Sequence, residues 1–455
     1  MIHPSRVRAL NSRPLQPGRY VLYWMQASQR AECNHALEYA VTRADELDLP
    51  LLVCFGLTPD FPEANSRHYR FMLQGLAETC RQLRARGVQL VVRTGAPDRV
   101  AVALSSGAAM AVVDRGYLRL QVAWRAAAAR DMACPLLQVE SDAVVPVDQA
   151  STREEYSAAT FRPRLHRQLE AYLLPLAERA PRRSSLGLEV PSLDPGDPER
   201  LLASLGVDSS VPPAPGFHGG TTAARQRLQH FIEHHLDDYP LARSDPSRDR
   251  LSGLSPYLHF GHISPLYVAL EIAATGGPGA DAFLEQLLVR RELALNFVAR
   301  NPAYDAWEGL PAWSRQTLEE HAADAREYLY TRAQLERAET HDPYWNAAQR
   351  EMVLSGTMHG YMRMYWGKKV LEWSRHPREA LATALYLNNR YQLDGRDPNS
   401  FAGVAWCFGK HDRPWRRRPV FGTVRAMTAA GLRRKFDIEA YVRRVQRLAA
   451  PPHPH

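Results

Sequence analysis

Cysteine is scarce and scattered in this 455-residue chain: Cys33, Cys54, Cys80, Cys134 and Cys407 form no CxxC pair and no cluster with histidine. That spacing argues against a zinc site and a disulfide framework, and it predicts reduced core thiols. No apolar run approaches the roughly 18 residues that a membrane-crossing helix needs, and the first residues, MIHPSRVRALNSRPLQPGRY, lack an apolar signal core. These absences predict a soluble, cytoplasmic protein. No GxGxxG or P-loop follows the first strand-like run, so neither NAD nor ATP is supported. No internal repeat occurs, and no convincing Ser/His/Asp, Cys/His or metal constellation stands out.

What is present begins with length and charge. Single cores usually stop growing near about 250–300 residues, so two domains are expected. The 45% hydrophobic content is ordinary for a globular chain. A net charge of +8 favours a polyanionic partner, although an arginine-rich composition produces the same bias without one.

Residues 20–140 alternate apolar, β-branched runs with amphipathic segments. The predicted strands are 20–25, 50–57, 88–95, 108–115 and 134–140, and Phe71, Leu76, Cys80 and Leu83 recur at helical spacing between two of them. That alternation predicts an α/β domain over 1–145 with a doubly wound, parallel, five-stranded, Rossmann-like sheet, whose strand ends form a cleft either occupied or empty. A charged helix around Thr152–Arg179 and a Pro/Ser/Gly-rich tract from Pro181 to Gly220 read as an interdomain connector over the surface, spanning 146–220. From 221 to 450 the pattern becomes helical, with Thr221 as a candidate N-cap and Pro240, Pro256, Pro302 and Pro377 as helix breaks. The tail PPHPH is expected to fray.

Five of the nine tryptophans lie between His341 and Phe421, beside the internal charges Arg363, Asp394, Arg396 and Asp397, the tandem Asn388–Asn389, and a basic run from Arg413 to Arg418. Indoles pass electrons or stack on bases, so this stretch combines an aromatic relay with groups suited to a bound aromatic ligand and to phosphate. Trp366 and Trp373 are seven apart and share a helix face, with Trp345 another 21 residues before Trp366. Upstream, Ser252, Gly253 and Ser255 precede a helix, where small residues let backbone N–H groups approach an anion. Plain core aromatics, a Ser-rich helix cap and a solvated basic loop are the bland counterparts of these three readings.

Taken together, LSPYLHFGHISP (254–265), VRRELALNF (289–297), the block 342–373, LYLNNRYQLDGRDPNSFAGVAW (385–406) and HDRPW (411–415) resemble the DNA photolyase and cryptochrome superfamily, and specifically class II cyclobutane pyrimidine dimer photolyases. The resemblance spans nearly the whole chain. It implies an α/β antenna domain, an all-α C-terminal domain that binds FAD, active when reduced, and light-driven repair of UV-damaged DNA. Such chemistry needs cofactor electronics, exclusion of water and a lesion pocket in place of an acid, base or nucleophile.

The resemblance also assigns residues. Arg363 and Asp394 form a salt bridge beside the isoalloxazine ring. Asn388 faces flavin N5, with Asn389 as its rival, and an amide there can accept or donate. Ser252, Gly253, Leu254 and Ser255 form the phosphate loop, with Tyr239 as a neighbour. Trp366 nearest the flavin, Trp345 next and Trp373 as a further or branching member relay an electron to the flavin. Glu292, Met364 and Trp406 contact the dimer, the first through a protonated carboxyl, with the preference at neighbouring Asn296 open. Arg413 and Arg425 grip DNA phosphates. The antenna pigment is open among a deazaflavin, a folate, another flavin and none; the protein is expected to be a monomer, without metal. A cryptochrome-like photoreceptor is the alternative function.

Overall fold

In the computed structural model, which describes residues 2–449, the N-terminal half is built on one six-stranded sheet. Its strands are β1 (Val7–Ala9), β2 (Tyr20–Trp24), β3 (Leu51–Leu57), β4 (Gln89–Thr94), β5 (Ala108–Asp114) and β6 (Leu136–Val139), in the order β1-β6-β5-β2-β3-β4. The tail 451–455, read as frayed, lies outside the described residues. β2 to β6 run parallel to one another, as expected, and their order reverses between β2 and β5. The expected five strands become six because β1 pairs antiparallel with β6. Three residues, one of them an arginine, leave no periodicity to read; the strand forms because preceding Arg6 buries its guanidinium against the carbonyls of Glu140, Ala143 and Val144.

β2, β3 and β5 are buried at every residue, which explains their continuous apolar runs. Val21 and Tyr23 of β2 pack with α1 (His35–Glu46) and α2 (Ser66–Ala85), whereas Leu22 and Trp24 pack with α3 (Pro97–Ser105) and α4 (Arg119–Asp131). Helices thus cover both faces. At the switch between β2 and β5, the fully buried Asp114 carboxylate accepts from Tyr23 Oη and from the backbone amides of Gln26 and Ala27. These bonds hold the loop after β2 in place.

The 146–220 tract is more structured than its composition suggests. Its helix, α5, runs Ala158–Tyr172 and buries Phe161, Leu165 and Tyr172 in a core shared with the C-terminal half. The Pro/Ser/Gly-rich part returns to the sheet: Leu193 N donates to Val92 O at 2.9 Å, which covers the open edge of β4. α6 (Thr221–His234) begins one residue earlier than read, because Gly220 is the N-cap while the Thr221 hydroxyl donates to His262 O.

The rest is helical. The elements that matter below are α7 (Ser255–His259), α8 (Arg291–Arg300), α9 (Pro343–Ser355), α10 (Gly360–Trp373), α11 (Pro377–Tyr391), α12 (Pro398–Cys407) and α13 (Ile438–Ala449). A π-helical stretch, Glu285–Arg290, leads into α8, whose residues Arg291–Val298 are all buried. α10, α11 and α12 pack on one another, α8 packs on α12, and α9 packs between α10 and α13.

Buried polar contacts fasten the two halves. Arg67, 1% exposed, donates to the carbonyls of Pro212, Met352, Tyr391 and Val353. Arg30 pairs with Asp142 at 2.8 Å and donates to Gly261 O. A guanidinium that serves several carbonyls in one fixed fork ties these elements into one arrangement.

Candidate functional site

The tryptophan spacing resolves into a contiguous chain. Trp345 and Trp366, on α9 and α10, stack with centroids 6.4 Å apart and planes at 8°, and Trp345 meets Trp373 edge-on at 5.7 Å. All three are buried. Trp345 therefore stands between the two tryptophans that sequence spacing placed on one face. Their indole N–H groups are satisfied away from each other: Trp345 Nε1 donates to Trp366 O at 3.0 Å, and Trp366 Nε1 to Gln349 Oε1 at 2.8 Å.

One turn before Trp366 on α10, Arg363 Nη2 reaches Asp394 Oδ1 at 3.1 Å and Gln392 Oε1 at 2.9 Å, so the expected ion pair forms. Arg363 Nε and Gln392 Nε2 are buried without a partner among the described residues. Buried donors of this kind are costly unless a ligand accepts from them. Asn388, 1% exposed on α11, donates to Asn389 Oδ1 and Ser400 Oγ. Adjacent unfilled donors and a fixed amide suit an aromatic ligand with edge carbonyls and ring nitrogens.

The proposed phosphate segment lies just ahead of α7. Gly253 has φ +63°, and a Cβ there would meet Arg227 Nη1 at 2.7 Å. The left-handed backbone angle favours glycine here, and the Arg227 guanidinium stands at close range. α7 has five residues, so its dipole is small; the backbone amides of Ser252, Leu254 and Ser255 and the guanidinium of Arg227 beside Gly253 are the groups here that could meet an anion. Sequence reasoning missed Arg227, whose only signal was an arginine on a helix 26 residues away. Tyr239 packs its ring against Phe231 and Phe283 and serves the core beneath this segment.

The candidate lesion residues come from helices that pack together. Met364 on α10 reaches towards Gly403 on α12, where a Cβ would find only Met364 Cε, at 3.9 Å. Gly403 and half-buried Trp406 share a face of α12. Glu292 on α8 is 1% exposed and accepts from Val144 N at 2.5 Å and Val145 N at 3.3 Å, so it also joins the two halves. Burial pushes its carboxyl up to about 8, with the two amides, Arg291 and Arg6 only partly opposing. Asn296 spends its amide on Glu155 N and Arg153 O, holding the start of the connector.

Cations and indoles alternate outward from Trp406. Buried Lys368 lies 5.0 Å from its ring and Arg425 lies 5.9 Å from it; Arg425 then stands 4.8 Å from exposed Trp415, which also contacts Arg413 at 5.4 Å. Burial lowers the Lys368 ammonium to about 8. This ladder leads from surface arginines to the half-buried indole, a form suited to a backbone phosphate outside and a flat base within.

A separate cleft opens at the sheet's switch point, lined by Gln26, Phe55, Leu57, Trp124, His259 and Arg396 among others. It lies where a doubly wound sheet ordinarily binds ligands. Among the described residues no group of His, Cys, Asp and Glu could hold a metal, and no helix is long and apolar enough to cross a membrane.

Comparison with known proteins follows this geometry. The family model described as DNA photolyase matches residues 21–182. A deoxyribodipyrimidine photo-lyase from Methanothermobacter thermautotrophicus is 52% identical over 450 residues, covering 98% of this chain and 99% of the relative. Among solved structures, a class III photolyase from Agrobacterium tumefaciens superposes with a TM-score of 0.73 at 22% identity, covering 94% of this chain and 87% of that one. An archaeal photolyase from Sulfolobus tokodaii, solved with two FAD molecules, has a TM-score of 0.67 at 18% identity, covering 93% and 88%.

Proposed function

The chain belongs to the DNA photolyase family, and from that footing we propose how its residues divide the work of a class II enzyme. The protein is a deoxyribodipyrimidine photo-lyase, a flavin-dependent enzyme that acts on DNA and splits cyclobutane pyrimidine dimers in light. When bound and reduced, FAD supplies a photoexcited electron that opens the dimer and then returns.

Around that cofactor, Arg363 and Asp394 present a paired charge, with the free Arg363 Nε and Gln392 Nε2 as donors. Asn388 addresses flavin N5, and residues 252–255 with Arg227 take the diphosphate. Trp366, Trp345 and Trp373 carry oxidising equivalents outward; their unbroken contact is the observation that carries this reading. Glu292, Met364 and Trp406 hold the dimer, which the protein extrudes from the duplex as base-flipping enzymes do. Arg413 and Arg425 bind phosphates without reading sequence. The cleft at the sheet's switch point is the place for an antenna pigment. The domain limits 1–145, 146–220 and 221–450 follow this division of labour.

The test is direct. Purified protein with chemically reduced FAD is mixed with dimer-containing oligothymidine, illuminated with blue light, and followed by recovery of the base absorbance. Light-dependent recovery supports the reading. Intact dimers would favour a cryptochrome-like photoreceptor.

A further inference from the structure

Asn388 and Asn389 are consecutive, buried and linked, yet they face different surroundings. Their amide orientations follow from neighbours that admit one role only. The Arg396 backbone N–H can only donate, and it reaches Asn389 Oδ1 at 3.1 Å. Asn389 Nδ2 therefore turns to the Glu63 carboxylate, at 2.6 Å. Asn389 Oδ1 also lies 3.0 Å from Asn388, so the Asn388 atom there is Nδ2. The second Nδ2 proton goes to Ser400 Oγ at 2.9 Å. An amide nitrogen has two protons, and both are now committed. Ser400 Oγ lies 3.1 Å from Asn388 Oδ1 and engages one of its lone pairs, leaving the other free. Asn388 can thus offer a ligand an acceptor and nothing else.

The surroundings maintain this arrangement. Glu63 is an exposed residue of the N-terminal half, 326 positions from Asn389, and both Glu63 and Arg396 hold left-handed backbone, at φ +58° and +67°. Such conformations are uncommon for residues other than glycine and persist where neighbouring contacts enforce them. Gly395 admits the loop: a Cβ there would come within 2.9 Å of Asn388 O and Asn389 Cα. Arg396 Nη1 closes the loop on Asn389 O at 2.6 Å.

We propose that Asn389, anchored by Glu63 across the seam between the two halves, is a positioning residue that locks Asn388 as a hydrogen-bond acceptor towards flavin N5. This rests on the assignment of Asn388 to N5. An acceptor fixed there favours the N5-protonated flavin and gives the unprotonated form no donor.

The test uses the FAD-loaded protein and reads the pH at which the bound flavin, carrying one added electron, changes from its blue N5-protonated spectrum to its red unprotonated one. Asn389→Leu frees the Asn388 amide to invert, and the transition is expected to fall by about one pH unit, a tenfold loss of proton affinity. The double substitution Asn389→Asp with Glu63→Gln rebuilds the same chain with donor and acceptor exchanged at its outer link and the net charge unchanged. It is expected to restore the original pH. Retention of FAD and the melting temperature identify a folding defect, in which case the double variant alone decides. If Asn389→Leu or the double variant contradicts these values while Asn388→Leu lowers the transition, the lock is refuted and Asn388 keeps its place. If Asn388→Leu also changes nothing, the assignment of Asn388 fails and the lock with it.

Discussion

Trp345 lies nearly parallel to Trp366, 8° between planes, and donates its own Nε1 proton to the Trp366 carbonyl oxygen. The hydrogen bond fixes the ring by the backbone of its partner, so the stack depends on the packing of α9 on α10. Replacing Trp345 or Trp366 by Phe is expected to slow photoreduction of oxidised flavin by an order of magnitude or more. Repair by chemically reduced protein should be spared. Transient absorption and single-turnover repair measure the two separately.

Glu292, proposed as a lesion contact, is expected to make lesion binding depend on pH. Its carboxyl, held up to about 8 by burial, is mostly protonated at neutral pH and keeps an O–H to donate to a pyrimidine carbonyl. That proton leaves as pH rises through about 8, so affinity for dimer-containing DNA is expected to be level below this value and to fall above it. Glu292→Gln keeps a donor at every pH, and its binding isotherms should lose this dependence. Stability has the same sign: the folded chain holds a proton that the unfolded chain loses near 4.5, so the contribution of Glu292 declines as pH rises from about 4.5 to about 8.

Arg413 and Arg425 are assigned to phosphates. Arg413→Ala and Arg425→Ala should each weaken binding alike across sequence contexts and reduce the slope of log affinity against log salt by about 1. A salt titration of binding checks this.

Arg363→Met leaves the Asp394 carboxylate, 5% exposed, without its cation. Breaking a buried pair by removing one partner costs about 3–5 kcal/mol. Denaturant unfolding should show a loss on this scale, and purified protein should retain less FAD.

Much of this was legible beforehand, for identifiable reasons. Strands buried on both faces announce themselves as unbroken apolar runs, and β2, β3 and β5 were placed within a residue or two. β1 carried no such signal, because its pairing depends on Arg6 and on carbonyls more than 130 residues away. That Arg363 and Asp394 need partners was visible, because isolated charges among apolar neighbours are costly, and the family resemblance supplied the pairing. Spacing put Trp366 and Trp373 on one face, but only helix packing puts Trp345 between them. Arg227 beside Gly253 and Glu63 beside Asn389 were illegible, since each contact joins segments with no shared pattern in the chain. Asn388 was read as able to accept or donate; the contacts of its Nδ2 with Asn389 Oδ1 and Ser400 Oγ join residues whose pairing the sequence pattern does not show.

The most direct measurement is an action spectrum. Dimer splitting by the reduced protein, counted per photon absorbed across the near-ultraviolet and blue, is compared with absorption of the bound reduced flavin and any antenna pigment. Repair that follows that absorption and stops in the dark is the expected result. Dimers that remain intact in light, or that open equally in the dark, would contradict it.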